Sequence, residues 1–156
     1  MANNINKNST MTKSQTICIV DDEAAIRETL ENVLSDEGYP VMSCHDSISF
    51  FEKLVQQTPD LVLLDIWLPG IDGMAILSKL RETYPELPVI MMSGHAGIDA
   101  AVNAIKLGAV DFMEKPLRLE IVLDKIAVVL SNKPRERIKD LASDTRMEVA
   151  KIIDPI

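Results

Sequence analysis

A chain of 156 residues suits one domain with a short extension, and 47% hydrophobic with 26% charged residues is an ordinary globular composition, not a disordered one. Its net charge of -8 argues against a nucleic-acid surface, which needs clustered Lys and Arg. The polar opening MANNINKNSTMTKSQ lacks the apolar core of a signal peptide, and no apolar run reaches the roughly 18 residues of a membrane span, so a cytoplasmic protein without membrane contact is expected.

Five short apolar runs alternate with longer amphipathic ones. TICIV (16–20) is the first; Ile26, Leu30, Val33 and Leu34 then share a helical face that ends near Gly38. PVMSC (40–44) is followed by a stripe of Ile48, Phe51, Leu54 and Val55, closed by TPD. LVLLD (61–65) precedes Ile76, Leu77, Leu80 and Tyr84, stopped at Pro85. PVIMMS (88–93) leads to Ile98, Val102 and Ile105, ended by Gly108, and AVDFME (109–114) to Leu119, Val122, Ile126 and Val129. The runs are rich in Val, Ile, Leu and Met with little alternation, as strands covered on both faces are.

Five strand–helix repeats predict an α/β fold, a doubly wound five-stranded parallel sheet with right-handed crossovers and helices on both faces. Residues 1–14 read as a polar tail, 15–131 as the domain, and 132–156 as a linker or an additional C-terminal helix carrying Ile138, Leu141, Val149 and Ile152. Cys18 and Cys44 lie in or at the end of apolar runs, and buried thiols are expected there in preference to a disulfide.

In open parallel sheets ligands bind beyond the carboxyl ends of the strands, where the strand order reverses. The first run ends in Asp21-Asp22-Glu23, the third in Asp65, the fourth in Ser93-Gly94 and the fifth in Lys115-Pro116. If the first and third strands are neighbours, Asp21, Asp22 and Asp65 converge. Carboxylates about 5 Å apart at an effective dielectric near 20 repel by about 3 kcal/mol per pair. An oxygen-liganded divalent cation relieves that repulsion, and Mg²⁺ uses one or two carboxylates while keeping several waters. Lys115 nearby adds a mobile positive charge suited to a phosphoryl oxygen, and a carboxylate such as Asp65 can itself attack phosphorus.

CIVDDE, LVLLDIWLPGIDG, VIMMSGHA and DFMEKP, each at a strand end and in this order, resemble the response-regulator receiver domain of bacterial two-component signalling over about residues 15–131. SGHA and the helix after it look most like the nitrogen-regulation branch, whose full-length members activate the alternative sigma factor 54. The resemblance implies the flavodoxin-like strand order 2-1-3-4-5, with five flanking helices. It implies a phosphorylation-dependent switch, not an enzyme, with only slow self-phosphorylation and self-dephosphorylation chemistry. Asp65 matches the phosphoacceptor, taking its phosphoryl group from a sensor histidine kinase. Asp22 matches the direct metal ligand, Asp21 an acidic partner acting through water, and the carbonyl of Trp67 the remaining protein ligand. The metal is Mg²⁺, with Mn²⁺ as a substitute. Ser93 and Lys115 match the groups that hold the phosphoryl oxygens. Phe112 matches the aromatic switch that turns inward when Ser93 is drawn toward phosphate. Pro116 matches a proline usually preceded by a cis bond, so Lys115-Pro116 is expected cis. A homodimer through the fourth helix, fifth strand and fifth helix is also implied.

The sequence departs from the commonest pattern of that family in three places. Trp67 is bulky at the site entrance, which bears on how fast the phosphoryl group hydrolyses. Ser93 stands where threonine is more frequent, and Phe112 lacks the hydroxyl of the frequent tyrosine, so a switch here works by packing alone.

Each residue also has a plainer reading. Asp22 can cap the first helix, and Asp65 can form a turn before LPG, but neither role explains why acids stand at several strand ends. Ser93 alone is an ordinary strand-end hydroxyl, Lys115 alone a solvated lysine, and Phe112 alone a core residue. His45 and His95 read as loop residues, and Met91-Met92 as core filler. One rival function, an aspartyl-phosphate phosphatase of the haloacid dehalogenase class, needs an aspartate two residues after the nucleophile, where Trp67 stands. A second, a phosphate-independent binding module, is expected to have lost acids or the lysine, and all are present. No GxxxxGK[ST] loop and no basic helix-turn-helix occurs. An output domain or downstream partner is therefore expected outside this chain, which reads either as a stand-alone receiver or as a piece of a larger transcriptional activator.

Overall fold

The computed structural model describes residues 14–95 and 97–132. In chain order its elements are β1 (Ile17–Val20), α1 (Ala24–Asp36), β2 (Val41–Cys44), α2 (Ser47–Gln56), β3 (Leu61–Asp65), β4 (Trp67–Leu68), β5 (Ile71–Asp72), α3 (Gly73–Thr83), β6 (Val89–Ser93), α4 (Ile98–Lys106), β7 (Asp111–Glu114) and α5 (Leu119–Ser131). The stripe of Ile138, Leu141, Val149 and Ile152 and the polar tail up to residue 13 lie outside the described residues.

Five strands form a parallel sheet in the order β2-β1-β3-β6-β7, the doubly wound arrangement expected. Every residue of β1, β3 and β6 is buried, which is why these runs read as continuously apolar. Successive side chains in a strand point to opposite faces. Cys18, Val20, Val62, Leu64 and Met91 therefore join one core with Phe50 and Leu54 of α2, Ile76, Leu77 and Leu80 of α3, and Ala104 of α4. Ile17, Ile19, Leu61, Leu63, Ile90 and Met92 face the other way, onto Leu30 and Leu34 of α1 and Val122, Ile126 and Val129 of α5. Cys18 and Cys44 are buried free thiols, with Sγ atoms 3.9 Å apart.

Three local features differ from expectation. In α2 the buried residues are Phe50 and Leu54, while Ile48 and Val55 are 70% and 83% exposed. Two adjacent apolar pairs, Phe50-Phe51 and Leu54-Val55, fit either helical phase. The capping of α2 accompanies the first: Asp46 accepts a hydrogen bond from the Ser49 N–H at 2.8 Å, and Lys53 donates to the Ser43 carbonyl. In α4 the stripe of Ile98, Val102 and Ile105 faces solvent, and Ala104 is the fully buried residue, so the helix turns its small side chain and not its large ones to the core. The segment after Asp65 forms a small antiparallel hairpin, with Trp67 opposite Asp72 and Leu68 opposite Ile71. Its turn is Pro69-Gly70, where Gly70 takes φ +86°, the left-handed conformation a type II turn requires at that place.

Candidate functional site

The carboxyl ends of β1, β3, β6 and β7 lie side by side, and each delivers one or more polar residues to the same rim. The parallel ladder continues past β1, where the Asp21 N–H donates to the Cys44 carbonyl at 3.1 Å, and past β3, where the Ile66 N–H donates to the Met92 carbonyl at 2.9 Å. The Lys115 N–H donates to the Ser93 carbonyl at 2.8 Å. These bonds hold the backbone on which Asp21, Asp65, Ser93 and Lys115 are mounted.

The side chains then close the rim. The Lys115 ammonium stands 2.8 Å from Asp21 Oδ2, 3.0 Å from Asp65 Oδ2 and 3.0 Å from Glu23 Oε1. The other oxygen of each buried acid is held by backbone: Asp21 Oδ1 accepts from the Glu23 N–H at 2.9 Å, and Asp65 Oδ1 from the Trp67 N–H at 3.1 Å. Arg27 donates to the Asp21 carbonyl at 2.7 Å, so the first acidic loop is fixed from both sides. Behind the acceptor loop α3 begins at Gly73, whose N–H donates to the Ile66 carbonyl at 2.7 Å. A Cβ at Gly73 would collide with the Asp65 carbonyl oxygen and lie 2.7 Å from Ile66 Cα.

Burial pushes the Asp21 carboxyl above the usual carboxylate range, although the Lys115 ammonium and the Glu23 N–H both oppose the shift. The same burial alone would lower the Lys115 ammonium, but the carboxylates of Asp21, Asp65 and Glu23 beside it outweigh it and raise it above the ordinary lysine value. The acids around it thus favour the charged form of the lysine.

Most of the residues expected at the site gather at this rim. Asp21, Asp65 and Ser93 are buried, Lys115 is nearly so, and Asp22 is exposed beside them. The N-cap position of α1 belongs to Glu23, without a side-chain capping bond, so Asp22 is not spent on capping. The Ser93 hydroxyl accepts from the His95 N–H at 3.2 Å. Phe112 is partly buried and packs against the core cluster that includes Ala104 and Ala109. Trp67 is 59% exposed, its indole outside the core. The Lys115–Pro116 bond is cis. His45 is exposed, with Nε2 3.3 Å from Asp46 Oδ2. Glu23 received no role from the sequence; its only signal there was its place next to Asp21-Asp22, and the contact with Lys115 comes from a residue 92 positions on.

The rim suits a hard cation. One carboxylate oxygen from each of Asp21, Asp22, Glu23 and Asp65 lies within 4.8 Å of the others. An all-oxygen, strongly anionic donor set of that span fits Mg²⁺ or Mn²⁺ and not a soft metal. An apolar cleft of about 660 Å³ lies at the opposite end of the sheet, lined by Pro88, Ile105, Ala109, Val110 and Val128 among others; Glu86, Asp111 and Asp124 also line it, but among the described residues only the rim groups acidic oxygens within 4.8 Å of one another. Among the described residues no helix is long and apolar enough to cross a membrane.

Known proteins share this fold. Residues 17–127 match the family model of the response regulator receiver domain. The chain is 38% identical over 135 residues to the nitrogen assimilation regulatory protein NtrX of Azorhizobium caulinodans, covering 83% of this chain and 29% of that protein. The receiver domain of NtrX from Brucella abortus superposes with a TM-score of 0.72 at 41% identity, over 75% of this chain and 99% of that one. The beryllofluoride-activated NtrC4 receiver domain dimer superposes with a TM-score of 0.70 at 33% identity, over 73% of this chain and 94% of that one. These relatives lie in the nitrogen-regulation branch anticipated from SGHA, and the chain spans about a third of the length of the full-length NtrX it matches.

Proposed function

Because the chain belongs to the response regulator receiver domain family, we propose that it is a phosphorylation-dependent switch in which Asp65 accepts a phosphoryl group from a sensor histidine kinase. The observation that carries this reading is the Lys115 ammonium 3.0 Å from Asp65 Oδ2, within a rim of four carboxylates. In the transfer a carboxylate oxygen of Asp65 bonds to phosphorus while the phosphorus–nitrogen bond of the phosphohistidine breaks, its electron pair leaving on the imidazole. Burial keeps Asp65 in place and the Trp67 N–H orients it, so little reorganisation is needed at the moment of attack. Lys115 neutralises the charge gathering on the phosphoryl oxygens, and the Ser93 hydroxyl supplies a second donor. Asp22, Asp65 and the Trp67 carbonyl, with Asp21 through water, would hold Mg²⁺, which supplies charge neutralisation for the incoming phosphoryl oxygens when bound.

The output surface is that of α4, β7 and α5. Ile98, Val102 and Ile105 on α4 and Ile121 and Val128 on α5 are exposed apolar residues, with the Lys125–Asp111 ion pair of 2.8 Å between them. We assign the coupling of this face to Ser93 to Phe112 on β7, a reading supported by its packing against the core cluster that includes Ala104 of α4. Self-association there, favoured by phosphorylation, is the readout we assign to this chain. Incubation with acetyl phosphate and Mg²⁺ should add one phosphoryl mass to the chain and none to Asp65→Asn. Labelling that survives in Asp65→Asn refutes the assignment.

A further inference from the structure

We propose that Glu23 is a positioning residue for this transfer: it occupies one donor of Lys115 in the resting protein and yields it to the phosphoryl oxygen. The proposal rests on Asp65 being the phosphoacceptor. An ammonium has three N–H donors and no acceptor. Two of them are taken in the resting geometry, by Asp65 Oδ2 and Glu23 Oε1 at 3.0 Å each, and Asp21 Oδ2 stands 2.8 Å away as an ion-pair contact, so three carboxylate oxygens crowd the ammonium before any phosphoryl group arrives. A phosphoryl oxygen that takes its place beside the lysine displaces one of these contacts.

The three partners differ sharply in what release costs. Asp21 is wholly buried, and losing its counter-charge would strand a carboxylate away from water. Asp65 is the reacting group and must stay beside the lysine to keep the new phosphoryl within its reach. The Glu23 side chain is 58% exposed and stands at the N-cap position of α1 without a capping bond, so a freed carboxylate returns to solvent. Glu23 is therefore the partner exchanged, and its negative charge competes with the phosphoryl oxygens for the same donor. The competition stabilises the resting position of Lys115 and slows the transfer.

The test is phosphorylation of the full chain by labelled acetyl phosphate at saturating Mg²⁺, comparing the parent, Glu23→Gln and Glu23→Ala. In this reaction the bond from Asp65 to phosphorus forms as the phosphorus–oxygen bond to acetate breaks, and acetate leaves with the electron pair. Both variants should be labelled about threefold faster than the parent, as expected for removing an exposed ion pair that opposes the reaction. The gain should appear in the maximal rate and not in the half-saturating acetyl phosphate concentration. A rate equal to or below the parent overturns the proposal, and so does a gain confined to the half-saturating acetyl phosphate concentration, which would mark a long-range charge effect on an anionic donor. A parent chain that is not labelled at Asp65 at all defeats the underlying assignment, an outcome distinct from an unaltered Glu23→Gln rate.

Discussion

Lys115 and Asp65 meet at 3.0 Å although β6 lies between the strands that carry them. The lysine spans the end of β6 and reaches Asp21 beyond β3 as well, so one ammonium balances buried acids from two strands. Its removal should be costly. Lys115→Ala leaves Asp21 buried without a counter-charge and should destabilise the fold by about 3 kcal/mol, measured by thermal or urea unfolding. The same change should tighten Mg²⁺ binding severalfold, since the cation no longer contends with an ammonium. A variant that melts like the parent, or binds Mg²⁺ less well, contradicts this account.

Trp67, the only tryptophan, reports on the same rim from its exposed side. Mg²⁺ should change its fluorescence in a saturable way with modest affinity, because Mg²⁺ gives up its waters reluctantly. Asp22→Asn should weaken binding most, Asp21→Asn less and Ser93→Ala scarcely at all. If Asp22→Asn titrates like the parent, the cation is held elsewhere.

How much of this was legible in the sequence depended on the kind of order involved. The sheet was legible because strands buried on both faces leave unbroken apolar runs. The polar residues at the ends of those runs include Asp21, Asp65, Ser93 and Lys115, and they can be picked out without knowledge of the fold. The phase of α2 was not legible, because Phe50-Phe51 and Leu54-Val55 offer two equally apolar faces and tertiary packing chooses between them. The outward face of α4 was hidden for a related reason: its core contact is Ala104, and an alanine weighs little beside Ile98, Val102 and Ile105 in any count of apolar positions. The β4–β5 hairpin was too short to give a strand pattern, and the hold of Glu23 on Lys115 is a contact across the fold that adjacency in DDE does not announce.

Gly73 offers a test by size alone. Any side chain there strikes the backbone of the acceptor loop, and backbone cannot move aside as a flexible side chain can. Gly73→Ala should cost about 2 kcal/mol of stability, within the range for overpacking. It should also shift the Trp67 N–H away from Asp65, slowing phosphorylation even in the molecules that fold. Calorimetry with the acetyl phosphate assay checks both; an unchanged melting temperature rules out the tight start of α3.

Asp46 provides a pH signature remote from the rim. Its side chain accepts from the Ser49 N–H, and that bond holds the carboxyl below its ordinary value. A depressed folded-state value means that the contribution is present above the unfolded carboxylate range and is lost as pH falls through the folded value. Asp46→Ala should therefore be less stable than the parent at neutral pH, with the gap closing under acid. A gap that stays constant across the titration removes the cap from the account.

A helix whose one fully buried side chain is an alanine has a low threshold for coming loose. α4 buries Ala104 alone, against four buried residues in α3 and four in α5, and its N-cap is Gly97, which has no side chain to secure the first turn. Local opening there exposes little that is not already wet, so its free-energy cost is a small part of the global one. Backbone amides of α4 should exchange with deuterium well before those of α3 and α5. Such a segment acts as a loosely latched panel over a rigid frame, able to change its seating while the five strands and the acids mounted on them stay still.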